Sequence, residues 1–459
     1  MQVSLESASG LERRLAITIP GDEIAAAVNK RLQEMSKRIR LDGFRPGKVP
    51  MKVVRRRYGE GARQEVLGDM IQSSYVEALK QEDLHPAGAP AIEPKDNDEK
   101  GDFEFVAVFE VYPEIELKDF SGITVKRPIA EVSDADVEEM ITTLRKQSSN
   151  FETVERPAEK GDQVTFDYKG TLDGEEFEGG SAENSVLELG SGRMIPGFEE
   201  GLEGVSADEE KVLDLVFPEK YHAENLAGKA VQFACKIHKI AEAVEPEMND
   251  EFFSRFGVKE GGMDAFRKEV SKNMDRELRQ AIKGKVKNQV MEGVLTLNEI
   301  DVPTPLVNQE IDRLREQAVQ QWGGAKSGFD PKSLPAELFE ADAKKRVSLG
   351  LLIGEIIKKH NIEVDDSRVK TMVEEMASAY QKPQEVVDWY YKNEQQLSQV
   401  KYVVLEEQVV DTILEVAQLE DEPCSYQDAI RPVASAEDAE AKEESSDATE
   451  EKVEETAHA

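Results

Sequence analysis

Eight apolar residues recur at every fourth position between residues 266 and 294, and this stripe constrains the fold more than any other feature of the chain. The stripe consists of Phe266, Val270, Met274, Leu278, Ile282, Val286, Val290 and Val294. A spacing of four predicts one long helix. Because an α-helix has about 3.6 residues per turn, a strict period of four drifts around its surface. The stripe must therefore pack against more than one neighbour.

The rest of the chain beyond Glu245 also has helical periodicity. Thr304 and Pro305 are expected to open a helix, residues 349–357 mark another, and residues 389–416 contain a last long one. Apolar stripes usually form a core, but polar helices of this length can also leave apolar positions for weak, broad partner binding. The candidates for such exposure are Met274, Met291, Val319, Met372 and Met376. After Pro432 the chain carries ten acids and two lysines, which predicts a disordered acidic tail.

The first 110 residues or so have the pattern of an α+β unit. A strand over 15–20 is followed by a turn and helix cap at Gly21 and Asp22, and a helix over about 23–39. The loop LDGFRPGKVP then precedes a second helix, for which Pro50 can be the first residue and which runs to about residue 80. Alternating apolar residues predict a strand over 103–111.

Residues 112–150 are expected to connect this unit to a different kind of domain. The connector contains a strand and a helix opened by Ser133 and Asp136, a capping-box pattern. Residues 151–242 are Gly-rich with short alternating strands. The predicted fold class is thus multidomain α+β, with an all-α C-terminal part. The predicted divisions are 1–112, 113–150, 151–243, 244–432 and 433–459, in line with about three domains for 459 residues.

Composition excludes several classes of function. The formal charge of −36, from 58 basic and 94 acidic residues, argues against a polyanion binder that uses its whole surface. The two cysteines, Cys235 and Cys424, exclude a disulfide scaffold and fit a reducing compartment. No secretory signal and no apolar run of about 18 residues is present, so we expect a cytoplasmic protein. The five histidines lack metal-ligand spacing, and no GxxxxGK[ST] motif occurs, so no cofactor, metal or nucleotide is expected.

One short strip reverses this charge balance. Residues 37–58 carry nine basic residues and one acid, a net charge of +8. The basic residues are Lys37, Arg38, Arg40, Arg45, Lys48, Lys52, Arg55, Arg56 and Arg57. A solvated helix face is the simplest interpretation. Phe44 beside Arg45 in a Gly/Pro loop favours docking instead, because an aromatic ring can stack while a guanidinium pairs with phosphate or carboxylate.

The sequence GFRPGKVP in this loop closely resembles the ribosome-binding signature of the trigger factor family of bacterial chaperones. Phe44 and Arg45 match the signature, whereas Pro46 stands where the family usually has lysine, and Lys48 could supply the missing charge. The resemblance implies docking beside the nascent-chain exit tunnel of the large ribosomal subunit. The implied ribosome-binding residues are Gly43, Phe44, Arg45, Pro46, Gly47 and Lys48. It also implies that the helical part forms a cradle for unfolded chains, with a homodimer as an option off the ribosome.

The run from GDQVTFDYKG to IPGFEEGLEGV resembles an FKBP-type peptidyl-prolyl isomerase. Such a domain is a bent antiparallel sheet around a short helix, with an apolar pocket between them. The implied catalytic positions are Tyr168, Phe177, Glu178, Met194, Ile195, Phe198, Tyr221 and Phe233. Glu178 replaces the usual aspartate, Phe198 stands where many members have tryptophan, and His222 lies in the loosely aligned segment with Tyr221. We assign Phe166 and Phe217 to the core of the domain.

An aromatic pocket is sufficient for this chemistry. Rotation of an X–Pro amide crosses a barrier of about 18–20 kcal/mol because resonance is lost. The twisted amide has less charge separation than the planar one, so a dry apolar pocket favours it. By the resemblance, the Ile195 backbone N–H can hold the carbonyl oxygen, and no nucleophile, metal or general base is needed.

Three alternatives to a ribosome-associated chaperone and isomerase remain open. The chain could be a free-standing isomerase with the helices as a dimerisation or substrate arm. It could be a periplasmic chaperone, which the missing signal sequence disfavours. It could also be an RNA-binding module that uses residues 37–58.

Overall fold

The computed structural model describes most of the chain in two compact units. The described residues are 2–42, 44, 49–95, 101–172, 174–219, 221, 223, 226–321, 329–378, 380 and 382–432. The first unit combines the chain up to Arg127 with Gly284–Glu422, and the second combines Pro128–Lys283 with the segment that begins at Pro423. The tail predicted to be disordered lies outside the described residues. Within those ranges, no helix is long and apolar enough to cross a membrane.

The N-terminal part of the first unit is a four-stranded antiparallel sheet with two helices. The strands are β1 (Gln2–Ser9), β2 (Glu12–Ile19), β3 (Ala91–Pro94) and β4 (Phe103–Glu110), in the order β1-β2-β4-β3. The helices are α1 (Gly21–Arg38) and α2 (Met51–Gln81). Leu15, Ile17 and Ile19 alternate along β2 and are buried against β4 and α2, as period-two patterning requires.

Two predicted helix starts are wrong by one or two residues. Helix α1 begins at Gly21 and not at Glu23, because the Pro20 carbonyl accepts hydrogen bonds from the N–H groups of Glu23 and Ile24. The exposed Gly21 N–H is satisfied by the Asp102 carboxylate at 2.9 Å, a partner 81 residues away. Pro50 lies just before α2 as an extended cap residue instead of being its first residue.

The connector forms β5 (Thr124–Ile129) and α3 (Asp134–Gln147), and the predicted capping box is confirmed. The Ser133 hydroxyl accepts a hydrogen bond from the Asp136 N–H, and the Asp136 carboxylate accepts one from the Ser133 N–H. Strand β5 pairs with β11 (Gln418–Pro423) near the end of the chain.

The central domain, in the second unit, is a five-stranded antiparallel sheet with one short helix. The strands are β6 (Asn150–Thr153), β7 (Gln163–Leu172), β8 (Glu175–Glu188), β9 (Glu210–Val216) and β10 (Ala230–Val244), and the helix is α4 (Phe198–Leu202). The order is β6-β10-β7-β8, and β9 also pairs with β10. This arrangement confirms the predicted antiparallel β domain with a short helix.

The remaining elements are helical, as predicted. They are α5 (Asp250–Arg255), α6 (Gly262–Leu297), α7 (Thr304–Gln321), α8 (Glu337–His360), α9 (Asp366–Ala377), α10 (Pro383–Lys392), α11 (Glu394–Leu414) and α12 (Tyr426–Ile430). Helix α6 carries the whole period-four stripe in 36 residues. In the second unit its first part packs with α3, α5 and α12.

The long helix predicted within residues 389–416 is confirmed as α11, and the first residues of that range belong to the end of α10. Asn393 separates α10 from α11, because its backbone is extended and its side chain accepts a hydrogen bond from the Gln396 N–H that begins the next helix. Its own N–H closes α10 on the carbonyls of Trp389 and Tyr390. Asparagine favours such caps because its short side chain competes with the helical backbone bonds.

The predicted set of exposed apolar residues is mostly wrong. Met274, Met291 and Val319 are buried, because each lies on the inner face of its helix. Met372 is half-buried beside the core between α9 and α11. Of the five candidates, Met376 is exposed, at 43%.

Candidate functional site

Five aromatic rings come together inside the central domain from separate parts of its chain. Phe166 and Tyr168 share one face of β7, Phe177 lies in β8, Phe198 begins α4 and Phe233 lies in β10. Alternation along β7 explains why both of its rings reach the same side. The ring centres of Phe198 and Phe233 are 5.3 Å apart and nearly perpendicular, and Tyr168 meets both rings edge to face. Edge-to-face contacts of this kind stabilise and orient aromatic clusters.

The cluster is buried at its floor and partly open at its rim. Phe198 and Phe233 are only 2% and 6% exposed. Tyr168 and Phe177 are half-buried, as are the three rim residues Met194, Ile195 and Tyr221. The structure therefore brings together seven of the eight predicted catalytic residues around one apolar surface. Among the described residues, none accepts a hydrogen bond from the Ile195 backbone N–H, which leaves that donor available to a ligand.

The other residues that the sequence analysis named in this domain lie either outside the described structure or in the core. Glu178 lies in β8, but its side chain is outside the described part of the structure, and so is all of His222. Phe166 and Phe217 are buried in the same core cluster, in keeping with their assignment to the core. Phe217 connects the cluster to the rim, since its ring lies 4.6 Å from that of Tyr221 and 6.0 Å from that of Phe177.

Glu199 holds the loop that carries the rim, and sequence reasoning missed this role. Its carboxylate is buried and accepts hydrogen bonds from the backbone N–H groups of Gly190 (2.8 Å), Gly192 (3.0 Å), Arg193 (2.9 Å) and Met194 (3.2 Å). The Ser191 hydroxyl adds a fifth hydrogen bond at 3.2 Å. The only signal in the sequence is an acid in the first turn of a predicted helix, which is a common place to accept N–H groups.

The pKa of Glu199 is lowered, which means that the loop binds the carboxylate and not the acid. Burial acts most strongly and raises the pKa, but the backbone hydrogen bonds from Gly192, Met194 and Gly190 together outweigh it. Hydrogen bonds donated to a carboxylate favour its charged form. Glu199 is therefore a fixed anion around which the loop is folded, adjacent to Phe198 at the floor of the cluster.

A second buried acid, Asp162, lies just before β7 and close to the loop that Glu199 binds. Asp162 is 3% exposed and receives two hydrogen bonds from the Arg156 guanidinium, at 2.5 and 3.0 Å. The Asp162 backbone also pairs with Leu189, just before the Glu199-bound loop. This bidentate pair raises the pKa of Arg156 and fixes the start of β7. Neither residue stands out in the sequence.

The chemistry that this surface can perform is binding and desolvation. No group of three or more His, Cys, Asp or Glu in the described residues is placed to hold a metal ion. The groups at hand are aromatic faces, two aliphatic rim side chains and one backbone donor. Such a surface can select a twisted, less polar amide over a planar one without any covalent step.

The basic strip lies at the end of the helical pair α1 and α2. Phe44 is 39% exposed, and its N–H donates to the Leu41 carbonyl at 3.0 Å. Of the six predicted ribosome-binding residues, Phe44 is described, and the other five lie outside the described residues. The flanking basic side chains are exposed: Lys37, Arg38, Arg40, Lys52, Arg55, Arg56 and Arg57.

A small separate core holds the two helices together beneath this loop. Leu32, Val49, Val54 and Ala62 are buried there, with Ile39 and Leu41 among the side chains packed around them. Arg31 of α1 also pairs with Glu65 of α2 through two nitrogen atoms. The two helices are thus held together next to the loop, and the Phe44 ring and the flanking cations are exposed.

Comparisons with known proteins agree along the chain. Three family models match: "Bacterial trigger factor protein (TF)" over residues 1–144, "FKBP-type peptidyl-prolyl cis-trans isomerase" over residues 154–238, and "Bacterial trigger factor protein (TF) C-terminus" over residues 262–415. The middle match contains the five rings predicted among the catalytic positions: Tyr168, Phe177, Phe198, Tyr221 and Phe233.

Curated relatives are similar over almost the whole length. A trigger factor of Pseudomonas fluorescens is 55% identical over 433 residues, which cover 94% of this chain and 99% of the relative. A trigger factor of Ectopseudomonas mendocina is 54% identical over 432 residues, 94% of this chain and 98% of the relative. A solved trigger factor chaperone structure aligns with a TM-score of 0.47 at 21% identity, covering 90% of this chain and 99% of that one.

Proposed function

The chain belongs to the trigger factor family, and from this premise we propose that it docks on the large ribosomal subunit and receives nascent polypeptides there. It is a chaperone with an FKBP-type peptidyl-prolyl isomerase domain. We place it in the cytoplasm, where ribosomes are found. The observation that carries the docking proposal is the exposed Phe44 ring at the end of a braced, basic helical pair.

Docking combines an aromatic contact with electrostatic attraction. The exposed cations of α1 and α2 attract phosphate or carboxylate groups, and Phe44 and Arg45 then make the local contact. Because the protein as a whole carries a charge of −36, general attraction to RNA is weak. Binding is therefore directed to one orientation, in which this loop faces the ribosome. We include Gly43, Pro46, Gly47 and Lys48 in the ribosome contact, with Lys48 as the charge in place of the family's usual lysine at position 46.

We assign the isomerase site to the aromatic cluster of the central domain. Phe198 and Phe233 form the floor, Tyr168 and Phe177 the walls, and Met194, Ile195 and Tyr221 the rim. The proline ring enters the apolar pocket, and the Ile195 N–H holds a carbonyl oxygen of the peptide. Glu178 takes the position of the family's pocket aspartate. The pocket lowers the barrier because the twisted amide is less polar than the planar ground state.

We assign client binding to the helical part, residues 244–432. The proposed division of the chain is the one predicted from the sequence: 1–112, 113–150, 151–243, 244–432 and 433–459. Support comes from large side chains exposed on and around α10, including Trp389 at 52% and Tyr391 at 48%. Tyr380, just before α10, is 61% exposed, and Met376 near the end of α9 is 43% exposed. Aromatic and Met side chains of this kind bind many unfolded sequences weakly.

Co-sedimentation with purified large ribosomal subunits tests the docking proposal. The variants are Phe44→Ala, Arg45→Ala and the control Tyr112→Ala, which removes another exposed aromatic ring of the first unit, 47% exposed. We expect the first two to lose most of the pelleted protein and the control to pellet like the unmodified chain. Pelleting that Phe44→Ala and Arg45→Ala leave unchanged would favour a free-standing isomerase and chaperone instead.

A further inference from the structure

A glycine on β7 lies among the rings of the aromatic cluster. Gly170 is paired directly with Phe233 of β10, so the two residues face the same side of the sheet. On the other side of Gly170, β8 departs from regular pairing, and four of its residues, 177–180, lie opposite this single glycine. A bulge of this kind re-aims the side chains that it carries. Here it directs the Phe177 ring toward Phe233, with the ring centres 6.2 Å apart.

The lack of a side chain at Gly170 lets two of these rings approach the strand. A Cβ atom at this position would lie 2.7 Å from Cε1 of Phe233 and 2.8 Å from Cε1 of Phe177. Carbon atoms that are not bonded to each other normally stay about 3.5–4.0 Å apart. Even the methyl group of alanine therefore fits at position 170 only if the rings move.

A second glycine, Gly180 in β8, bounds the Phe177 ring at its other edge. A Cβ atom at Gly180 would lie 2.7 Å from both Cε2 and Cζ of Phe177. The tip of the ring is thus inserted between two glycines on neighbouring strands. Its aromatic neighbours Phe217 and Phe233 are both buried. Because Phe177 is half-buried, the side on which its ring can yield is the open side of the cluster.

We propose that Gly170 and Gly180 are positioning residues that set the width of the isomerase pocket through Phe177. The proposal rests on the assignment of that pocket to the aromatic cluster. With both glycines present, the Phe177 ring is seated deeply in the wall and leaves room for the five-membered ring of proline. With a methyl group at either position, the Phe177 ring must move by about 0.7–0.8 Å to restore normal contact distances. The pocket then becomes narrower.

The width of the pocket determines which imino-acid ring it accepts. One methylene more or less in an apolar pocket changes the specificity constant by about 10–200-fold. Azetidine-2-carboxylate has one methylene fewer than proline, and pipecolate has one more. A narrower pocket should therefore lose the most kcat/KM with a pipecolate peptide, less with a proline peptide and least with an azetidine peptide. A merely disordered pocket would lose activity toward all three alike.

Isomerisation of three short peptides that differ only in this ring tests the proposal in the full chain. The variants are Gly170→Ala and Gly180→Ala, with Gly61→Ala of α2 as a matched control, because a Cβ atom at Gly61 has no neighbour within 4 Å. Each variant's ratio of kcat/KM between two peptides is compared with that of the unmodified chain, which cancels the intrinsic reactivity of the peptides. We expect the azetidine-to-proline ratio to rise at least about threefold in Gly170→Ala and Gly180→Ala and to stay unchanged in Gly61→Ala. An equal loss with all three peptides would overturn the proposal.

Phe177→Leu tests the same wall in the opposite direction and does not depend on whether the alanine variants fold. A smaller side chain between the two glycines widens the pocket, so the pipecolate-to-proline ratio should rise at least about threefold. An unchanged ratio in folded Phe177→Leu protein would contradict the proposal.

Phe198→Leu, measured in parallel, separates failure of this proposal from failure of the pocket assignment on which it rests. Normal turnover of the proline peptide by Phe198→Leu would show that the pocket lies elsewhere, and both would fall. Lost turnover in Phe198→Leu together with unchanged ratios in the glycine variants would leave the pocket assignment in place and overturn the role of Gly170 and Gly180 alone.

Discussion

The Glu199 carboxylate lies 3.2 Å from the backbone nitrogen of Met194, which donates a hydrogen bond to it at the rim of the aromatic cluster. Through this contact and those to Gly190, Gly192 and Arg193, one buried anion determines the shape of the loop that carries Met194 and Ile195. The neighbouring residue, Phe198, is buried at the floor of the aromatic cluster to which we assign the isomerase pocket. Floor and rim are therefore positioned by two adjacent residues of α4.

Replacing Glu199 by Gln should loosen this loop while leaving the sheet intact. The amide offers one acceptor oxygen in place of a carboxylate that accepts five hydrogen bonds, and the loss should be about 1–3 kcal/mol. Hydrogen exchange measured by mass spectrometry should show faster exchange in fragments that contain residues 190–194. Fragments from β7 should exchange as in the unmodified chain. Unchanged exchange at the loop would contradict the role given to Glu199.

The stabilisation of the loop by Glu199 should depend on pH. The folded-state pKa of Glu199 lies below the usual value of 4.5, so its stabilising effect is complete above that value and is lost as the pH falls through the folded-state pKa. The difference in loop exchange between the unmodified chain and Glu199→Gln should be constant between about pH 5.5 and 7.5, after correction for intrinsic exchange rates. Below pH 4.5 the difference should shrink. A difference that grows with acidification would mean that the protonated acid, not the carboxylate, is bound.

The two cysteines should differ in reactivity. Burial raises the pKa of the Cys235 thiol to about 11, and the side chain is 2% exposed. Because only the thiolate is nucleophilic, Cys235 should resist iodoacetamide at pH 8 in the folded protein. Cys424 is only half-buried and should be alkylated first. Mass spectrometry of the alkylated peptides measures both, and alkylation of Cys235 as fast as in urea would contradict its burial.

Chaperone activity should be separable from isomerase activity. The aromatic cluster proposed as the isomerase pocket lies in the second unit, whereas Trp389 and Tyr391 belong to the first. Suppression of aggregation of a client without proline should therefore survive a pocket substitution such as Phe198→Leu. Light scattering during client refolding measures it. Equal loss of both activities would show that one surface serves both.

Sequence patterns predicted the parts of the fold that depend on local periodicity. The period-four stripe became the single helix α6, and Ser133 with Asp136 formed the capping box. Contacts between distant residues could not be predicted in this way. Asp102 satisfies the N–H of Gly21 at the start of α1, and Arg156 holds Asp162 beside the Glu199-bound loop. The start of α11 after Asn393 was not predicted, because the apolar pattern continues across that residue.

At the candidate site, too, some residues could be predicted from local sequence patterns and others could not. The resemblance to the FKBP family identified rings that meet in one cluster, since ring type and spacing are visible in the sequence. Glu199 was missed because its partners are backbone groups, which carry no sequence signal. Burial of Met274 and Met291 was also missed, because helical spacing places a side chain on a face without saying what covers that face.

Turnover of a short X–Pro peptide tests the assignment of the isomerase pocket most directly. Phe198→Leu and Phe166→Leu make the same chemical change at two buried rings of one cluster, whose centres are 5.9 Å apart. We assign Phe198 to the pocket floor and Phe166 to the core behind it. We predict a loss of turnover of at least about tenfold for Phe198→Leu, equivalent to about 1.4 kcal/mol of barrier, and near-normal turnover for Phe166→Leu. Normal turnover of folded Phe198→Leu protein would contradict the assignment.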